Sequence, residues 1–299
     1  MKRFNLSFAL VFALFFCTSM FAQSYSFTNV VNPNEPQSGF TQLLGINNSG
    51  VIAGYHNFKQ NQGFTLVLPT AFTTENYPNS MMTQVIGINN TLTTDGFYVD
   101  QEGVTHGFYR TRSGQFTTVD YSAPAVSPAF NQLLSQNDRN QAAGYYSNSL
   151  NNTTPDIPYV YDEVGGIFHV ITIPGAQGGA QATGINNAGE TVGFFIDGAG
   201  VNHGWILNTG VFMPLDYPGS SGTQALGVNN NGQVVGFYTD GAGSHGFMYS
   251  IGTAKFVSID DPNGVGSTVV NGINDAGVLV GFFGTAPINT GFIATPSAK

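Results

Sequence analysis

Charge is scarce in this sequence. Asp, Glu, Lys and Arg make up 8% of its 299 residues, against about 25% in an average soluble domain. Eight basic residues stand against 17 acidic ones, and nothing basic is clustered to track a phosphate backbone. That balance excludes nucleic acid and heparin-like polymers as expected partners. Cysteine occurs once, at Cys17, so no disulfide framework holds the chain. Helical periodicity is missing throughout. So are the phosphate-cradling glycine loop followed by lysine, the His-Glu-x-x-His zinc pattern and the Gly-x-Ser-x-Gly elbow. What the chain does have is a 41% apolar fraction, enough for a sizeable core, and 39 glycines.

The first segment reads as a leader. Lys2 and Arg3 precede an apolar run from Leu6 to Ala22, the pattern of a secretory signal peptide. Cleavage is expected after Ala22, or as late as Ser24. The rival reading is an uncleaved anchor, since the run approaches a thin membrane span. Phe16 before Cys17 lacks the small residue that a lipoprotein signal needs. Cleavage removes the cysteine and two basic residues, leaving a single exported domain over 23–299 that does not insert into the membrane, either periplasmic or extracellular.

That domain is repetitive. Gly-Ile-Asn-Asn occurs at Gly45–Asn48, Gly87–Asn90 and Gly184–Asn187, with variants at Gly227–Asn230 and Gly272–Asp275 and a degenerate copy, Ser135–Asp138. Nine residues after each start stands another glycine: Gly54, Gly96, Gly144, Gly193, Gly236 and Gly281. So constant an interval implies a fixed hairpin, its turn capped by asparagine and closed by a left-handed glycine. Asn140 tolerates that conformation, whereas Leu92 is expected to mark an altered turn. A third strand follows each hairpin, as in His203-Gly204-Trp205 and His245-Gly246-Phe247, and a fourth begins near Phe72, Phe116, Phe168, Phe212 or Phe256. Four short strands in about 45 residues is the size of a β-propeller blade. The chain is therefore expected to be all-β: a six-bladed propeller of four-stranded antiparallel blades. Tyr25–Pro33 matches a fourth strand and Thr290–Ile293 a third, so the opening strand should complete the last blade and hide two sheet edges.

These motifs together resemble the extracellular HAF-repeat family of bacteria. His-Gly-Phe or His-Gly-Trp stands where the family's name implies His-Ala-Phe. The resemblance covers essentially the whole mature chain and implies secretion and a repeat architecture; it brings no established reaction.

Comparing the units exposes a paired pattern. His106, His203 and His245 start third strands, and Asp120, Asp216 and Asp260 end the fourth strands of the same units. Where the histidine is missing the aspartate is missing too, so each pair is expected to meet across an antiparallel ladder as a structural clasp. Metal coordination and a hydrolytic dyad are the rival readings. Each pair offers only two ligands, and three copies suit scaffolding better than one catalytic centre. Loops after the second and fourth strands share one rim, where Tyr77, Tyr121, Asp197, Tyr217, Asp240 and Asp261 suggest a binding surface for neutral sugar. The Asp-Gly-x-Gly turns resemble fragments of calcium loops without a full ligand series; calcium is the sole cofactor considered, and no metal site is expected. Gln42, Gln84, Gln132, Gln181 and Gln224 precede each start by three residues, with Val269 breaking the row. They are read as satisfying backbone groups between blades, with a polar girdle around the axis as the alternative. The aromatic pairs after the second-strand glycines, Phe194, Phe195 and Phe237 among them, are read as inter-blade core.

The expected function is a secreted, non-enzymatic binding or scaffold module whose partner is a neutral carbohydrate or another exported protein. The alternative is an extracellular enzyme acting on glycans at the loop rim or axial channel. Its residues would then lie in the irregular third unit, near Asp138, Arg139, Asp156, Asp162 and Glu163.

Overall fold

The computed structural model describes residues 24–34, 39–122, 129–284 and 288–297. The leader proposed over 1–22, and most of the long loop after Tyr121, lie outside them. The strands run in chain order, four to a blade. The opening strand is β1 (Tyr25–Val30). Blade 1 follows with β2 (Thr41–Ile46), β3 (Ile52–Phe58), β4 (Gln60–Val67) and β5 (Ala71–Thr74). Blade 2 is β6 (Met82–Ile88), β7 (Thr94–Val99), β8 (Thr105–Arg110) and β9 (Phe116–Val119). Blade 3 is β10 (Phe130–Gln136), β11 (Gln141–Ser147), β12 (Asp156–Asp162) and β13 (Ile167–Val170). Blade 4 is β14 (Gly179–Ile185), β15 (Thr191–Ile196), β16 (Asn202–Asn208) and β17 (Val211–Leu215). Blade 5 is β18 (Gly222–Val228), β19 (Gln233–Asp240), β20 (Gly243–Ser250) and β21 (Lys255–Ile259). The last blade is β22 (Thr268–Ile273), β23 (Leu279–Phe283) and β24 (Thr290–Pro296), and β1 completes it by pairing antiparallel with β24 from Tyr25↔Pro296 to Val30↔Gly291. Inner strands of neighbouring blades pack in a closed circle, β22 against β2 included.

One aromatic ring per blade anchors this packing. Phe64, Phe108, Tyr159, Trp205, Phe247 and Phe292 are all fully buried. Each lies directly opposite the second-strand glycine of its blade, as in Gly54↔Phe64 and Gly193↔Trp205. A Cβ on Gly193 would collide with the Gln181 carbonyl and the Trp205 ring, which is why the interval of nine ends on glycine in every unit. Burying a ring of this kind contributes roughly 1.5–3 kcal/mol. In blades 1, 3 and 5 the fourth-strand phenylalanine then meets it near edge-on, as Phe72 meets Phe64 at 5.0 Å and 71°. In the split blade Phe27 of β1 takes that place against Phe292, at 5.6 Å. The opening strand thus supplies core as well as a ladder.

The Asn-Asn hairpins do more than turn the chain. In each blade the first asparagine accepts two backbone N–H bonds within its own turn, as Asn229 Oδ1 does from Asn231 and Gln233. Its Nδ2 donates to the carbonyl of the matching asparagine in the next blade. The links run Asn47 to Asn89, Asn137, Asn186, Asn229, Asn274 and back to Asn47, at 3.0–3.2 Å. A second circle runs outside the first. Each following residue's N–H donates to the side-chain oxygen of its counterpart, from Asn48 through Asn90, Asp138, Asn187, Asn230 and Asp275 to Asn48, at 2.8–2.9 Å. Ser135–Asp138, degenerate in sequence, completes both circles.

Leu92 corrects one expectation. It adopts φ 63°, beside 76° at Gly50 and 82° at Gly189, and its N–H bonds the Asn89 carbonyl at 3.2 Å as the glycines do. The turn is unaltered: the cap and the inter-blade links over-determine it, so the residue accepts the strain.

Candidate functional site

The two rims of the ring differ, and the difference starts in the inner strands. All six carry a bulge at the same step, between Leu43 and Gly45 in β2 and at the equivalent places elsewhere. The skipped residues, Leu44, Ile86, Leu134, Thr183, Leu226 and Asn271, all turn to the axis and line its waist. Below the waist the asparagine circles narrow the path to polar cavities of about 100 and 70 Å³. Above it the path opens into a funnel of about 420 Å³.

Five glutamines and five aromatic rings line this funnel: Gln42, Gln84, Gln132, Gln181 and Gln224 with Tyr55, Phe97, Phe194, Phe237 and Phe282. The two rows are paired by register. Gln42 faces Tyr55, Gln84 faces Phe97, Gln181 faces Phe194 and Gln224 faces Phe237, while Val269 faces Phe282. The glutamines therefore form the axial girdle and do not serve backbone groups between blades. Three of them bond side chains: Gln42 Nε2 donates to Asn289 Oδ1 at 2.8 Å, Gln181 Nε2 donates to Asp156 Oδ2 at 2.6 Å, and Gln132 Oε1 accepts from the Tyr145 hydroxyl at 2.9 Å. Among the described residues the Gln84 and Gln224 carboxamides have no hydrogen-bond partner. Burial pushes the Tyr55 hydroxyl up to about 12 and raises the Asp156 carboxyl. The mouth thus presents neutral donors and acceptors beside aromatic rings.

The inter-blade-core reading of the aromatic pairs holds for half of them. Alternation along a strand sends successive residues to opposite faces, so the first ring of each pair faces the axis and the second faces the seam. In the seams the rings build stacks. Tyr77 lies on Tyr98 at 3.7 Å and 6°, and Tyr98 on His106 at 4.9 Å and 19°. Tyr217, Tyr238 and His245 repeat the arrangement at 3.6 and 5.3 Å, and Tyr121 stacks on Tyr146 at 3.7 Å. Tyr77, Tyr121 and Tyr217, expected as sugar platforms on the loops, spend a face on these stacks.

Each paired histidine is held from two sides. His106 Nδ1 lies 2.9 Å from Asp120 and its Nε2 3.1 Å from Asp100. His203 contacts Asp216 at 3.1 Å and Asp197 at 3.4 Å; His245 contacts Asp260 at 2.8 Å and Asp240 at 3.4 Å. With a carboxylate at both nitrogens the protonated ring is favoured. The hydrogen bonds that the rings donate to Asp120 and Asp260 raise the pKa values of His106 and His245; at His203 burial opposes the rise, and Asp216 and Asp197 together outweigh it. Asp197 and Asp240, expected on an open binding rim, are the second arms of these clamps. Asp197 also caps its turn through the N–H groups of Ala199 and Val201, and these bonds lower its pKa. Asp261, the remaining rim candidate, is fully buried and accepts from Asn263 N–H at 2.8 Å and from Asn29 of β1 at 3.3 Å. It secures the closing strand. Asp100 was missed in the sequence, although it precedes His106 by the six residues that separate Asp197 from His203.

The acids proposed for an enzymatic site do not converge. Asp138 sits in the outer asparagine circle, its pKa lowered by bonds from Asn187 and Asn90 that outweigh partial burial. Asp162 caps its turn through the Val164 N–H, and Asp156 holds Gln181 at the funnel. Glu163 accepts from Gln136. The backbone of Arg139 bonds Asn137 at the hairpin cap.

No protein-family model and no curated protein matches this sequence. Solved structures do. A mutant of the Aleuria aurantia lectin, in complex with Fucα1-6GlcNAc, aligns with a TM-score of 0.54 at 10% identity, over 86% of this chain and 96% of the lectin. Another structure of that fungal lectin, described as a six-bladed β-propeller with a novel mode of fucose recognition, aligns at 0.53 and 11%, over 86% and 95%. TolB from Acinetobacter baumannii aligns at 0.54 and 12%, over 84% of this chain and 64% of TolB. At such identities the likeness establishes the fold: the chain is a six-bladed β-propeller.

Proposed function

We propose that this protein is an exported, non-catalytic carbohydrate-binding module whose axial funnel receives a neutral saccharide. The observation that carries the reading is the register-paired girdle, in which unpartnered carboxamides on blades 2 and 5 stand beside Phe97 and Phe237 in a 420 Å³ cavity. Carboxamides both donate to and accept from hydroxyls, and aromatic faces cover the apolar side of a sugar ring. Pockets of this size, mostly apolar with a few placed polar groups, suit small ligands. The leader-like segment and the likeness of the repeats to the HAF family support an exported protein. The lectin neighbours favour fucosylated glycans as the first ligands to try.

A glycan array followed by calorimetry on the mature chain tests this. The expected result is a neutral glycan bound by the native protein and lost, by about tenfold or more, in Gln84→Ala and Phe237→Ala, since a tenfold change is about 1.4 kcal/mol. A glycan held equally well by both variants, or one turned over, would refute the assignment.

A further inference from the structure

The sixfold pattern is broken at one seam by three polar residues together. Opposite the first glycine of the repeat, the second strand carries Ala53, Val192, Val235 or Val280, and Ala143 stands opposite Ser135 in blade 3; blade 2 alone carries Asp95. The residue after that glycine is isoleucine or valine in five blades and Gln136 in blade 3. Asp95 is fully buried and Gln136 is 6% exposed. Gln136 Oε1 and both Asp95 carboxylate oxygens are buried without a hydrogen bond of good geometry among the described residues; only the backbone N–H groups of Gly87 and of Asp95 itself come near the carboxylate, and they do not offset its burial. The Gln136 amide donates to Glu163, and burial raises the pKa of Glu163, to about 7, and that of Asp95. A Cβ on Gly87 would collide with the Asp95 carboxylate and lie 3.0 Å from Ser135 Cα, which places that carboxylate beside the residue preceding Gln136. Gly87, Ser135 and Gln136 also line the 100 Å³ axial cavity below the waist, so polar space lies beside the cluster. Among the described residues no ion pair neutralises either acid.

We propose that this seam between blades 2 and 3 binds a hard divalent cation of the calcium or magnesium kind through Asp95, Glu163 and Gln136 Oε1. The donors are all oxygen, which selects calcium or magnesium over zinc or copper. Two carboxylates balance the charge of one such ion, and the unpartnered oxygens gain the coordination they lack. The Asp-Gly-x-Gly turns, whose aspartates clamp histidines, are separate from it, and so is the funnel.

The test uses the intact mature chain after chelation. Thermal melts with and without calcium or magnesium should show a rise in melting temperature with the ion. Terbium should bind with emission sensitised by Tyr109, the cross-strand neighbour of Asp95, and calcium should displace it. Asp95→Ala and Gln136→Ile restore residues that other blades hold at these positions, so both variants keep the repeat pattern. Asp95→Ala should abolish the melting shift and the terbium signal, and Gln136→Ile should weaken both. Melts indifferent to either ion at millimolar concentration, or a shift that survives in Asp95→Ala, would overturn the site. A variant that is merely more stable, with no ion effect in the native chain, would also overturn it and mark Asp95 and Glu163 as a neutral buried pair.

Discussion

Replacing Asn229 by alanine tests the physical account of the ring. Its side chain is 4% exposed. It accepts from Asn231 and Gln233 N–H at 3.1 and 3.0 Å and donates to the Asn274 carbonyl at 3.0 Å. Truncation leaves two backbone donors, the Asn274 carbonyl and Gln233 Oε1, which also accepts from Asn229 Nδ2 at 2.7 Å, without this partner. A net hydrogen bond contributes about 1 kcal/mol, and a buried group left unpaired costs about 1–3 kcal/mol. The loss expected for Asn229→Ala is therefore about 3 kcal/mol, a melting temperature roughly 5 °C lower at this chain length. Asn229→Asp keeps the two acceptor bonds and loses the donor bonds to Asn274 and Gln233, so it should fall between the native protein and the alanine variant. Trp205, the one tryptophan and fully buried, provides a fluorescence signal for denaturant unfolding, with the melt as a second probe. A loss under about 1 kcal/mol for Asn229→Ala would refute the argument that these asparagines bind blade to blade, as would an aspartate variant no better than alanine.

Two further outcomes follow from the clamps and the closure. Because His106 titrates above its ordinary 6.5, its clamp contributes fully below that value and the contribution fades as pH climbs through the raised one. A His106/Asp120 double-mutant cycle should thus show coupling of about 0.2–1 kcal/mol at mildly acidic pH, shrinking on the alkaline side; strictly additive losses throughout would mean the contact is absent. Deleting Tyr25–Val30 bares the edge of β24 and removes Phe27 from Phe292, so the melting temperature should drop and concentration-dependent association should appear. An unchanged melt would show that β1 is dispensable.

The architecture was legible in the chain because a repeat displays its own constraints. Six glycines at a constant interval exist because an aromatic ring lies on each, and the Asn-Asn pairs recur because each satisfies its own turn and its neighbour's. Tyr25–Pro33 could be recognised as a fourth strand for the same reason, since Phe27 fills the slot of Phe72 and Phe256. The His–Asp pairing was readable from joint loss across units, a local cross-strand relation set by register.

Direction was what the sequence left open. Which ring of each pair faces the axis depends on strand parity relative to the bulge, so Phe194 and Phe195 look alike in the chain and part company only in the folded blade. Tyr77 sits in a loop, yet the next blade brings Tyr98 to its face; Asp197 reads as a solvent-facing turn until the imidazole of His203 arrives beside it. Asp95 and Gln136 are separated by 41 positions, and only the docking of blade 3 on blade 2 gathers their buried oxygens at one seam. Local geometry and repeat spacing are written along the chain, whereas the surroundings of a side chain belong to whichever blade packs against it.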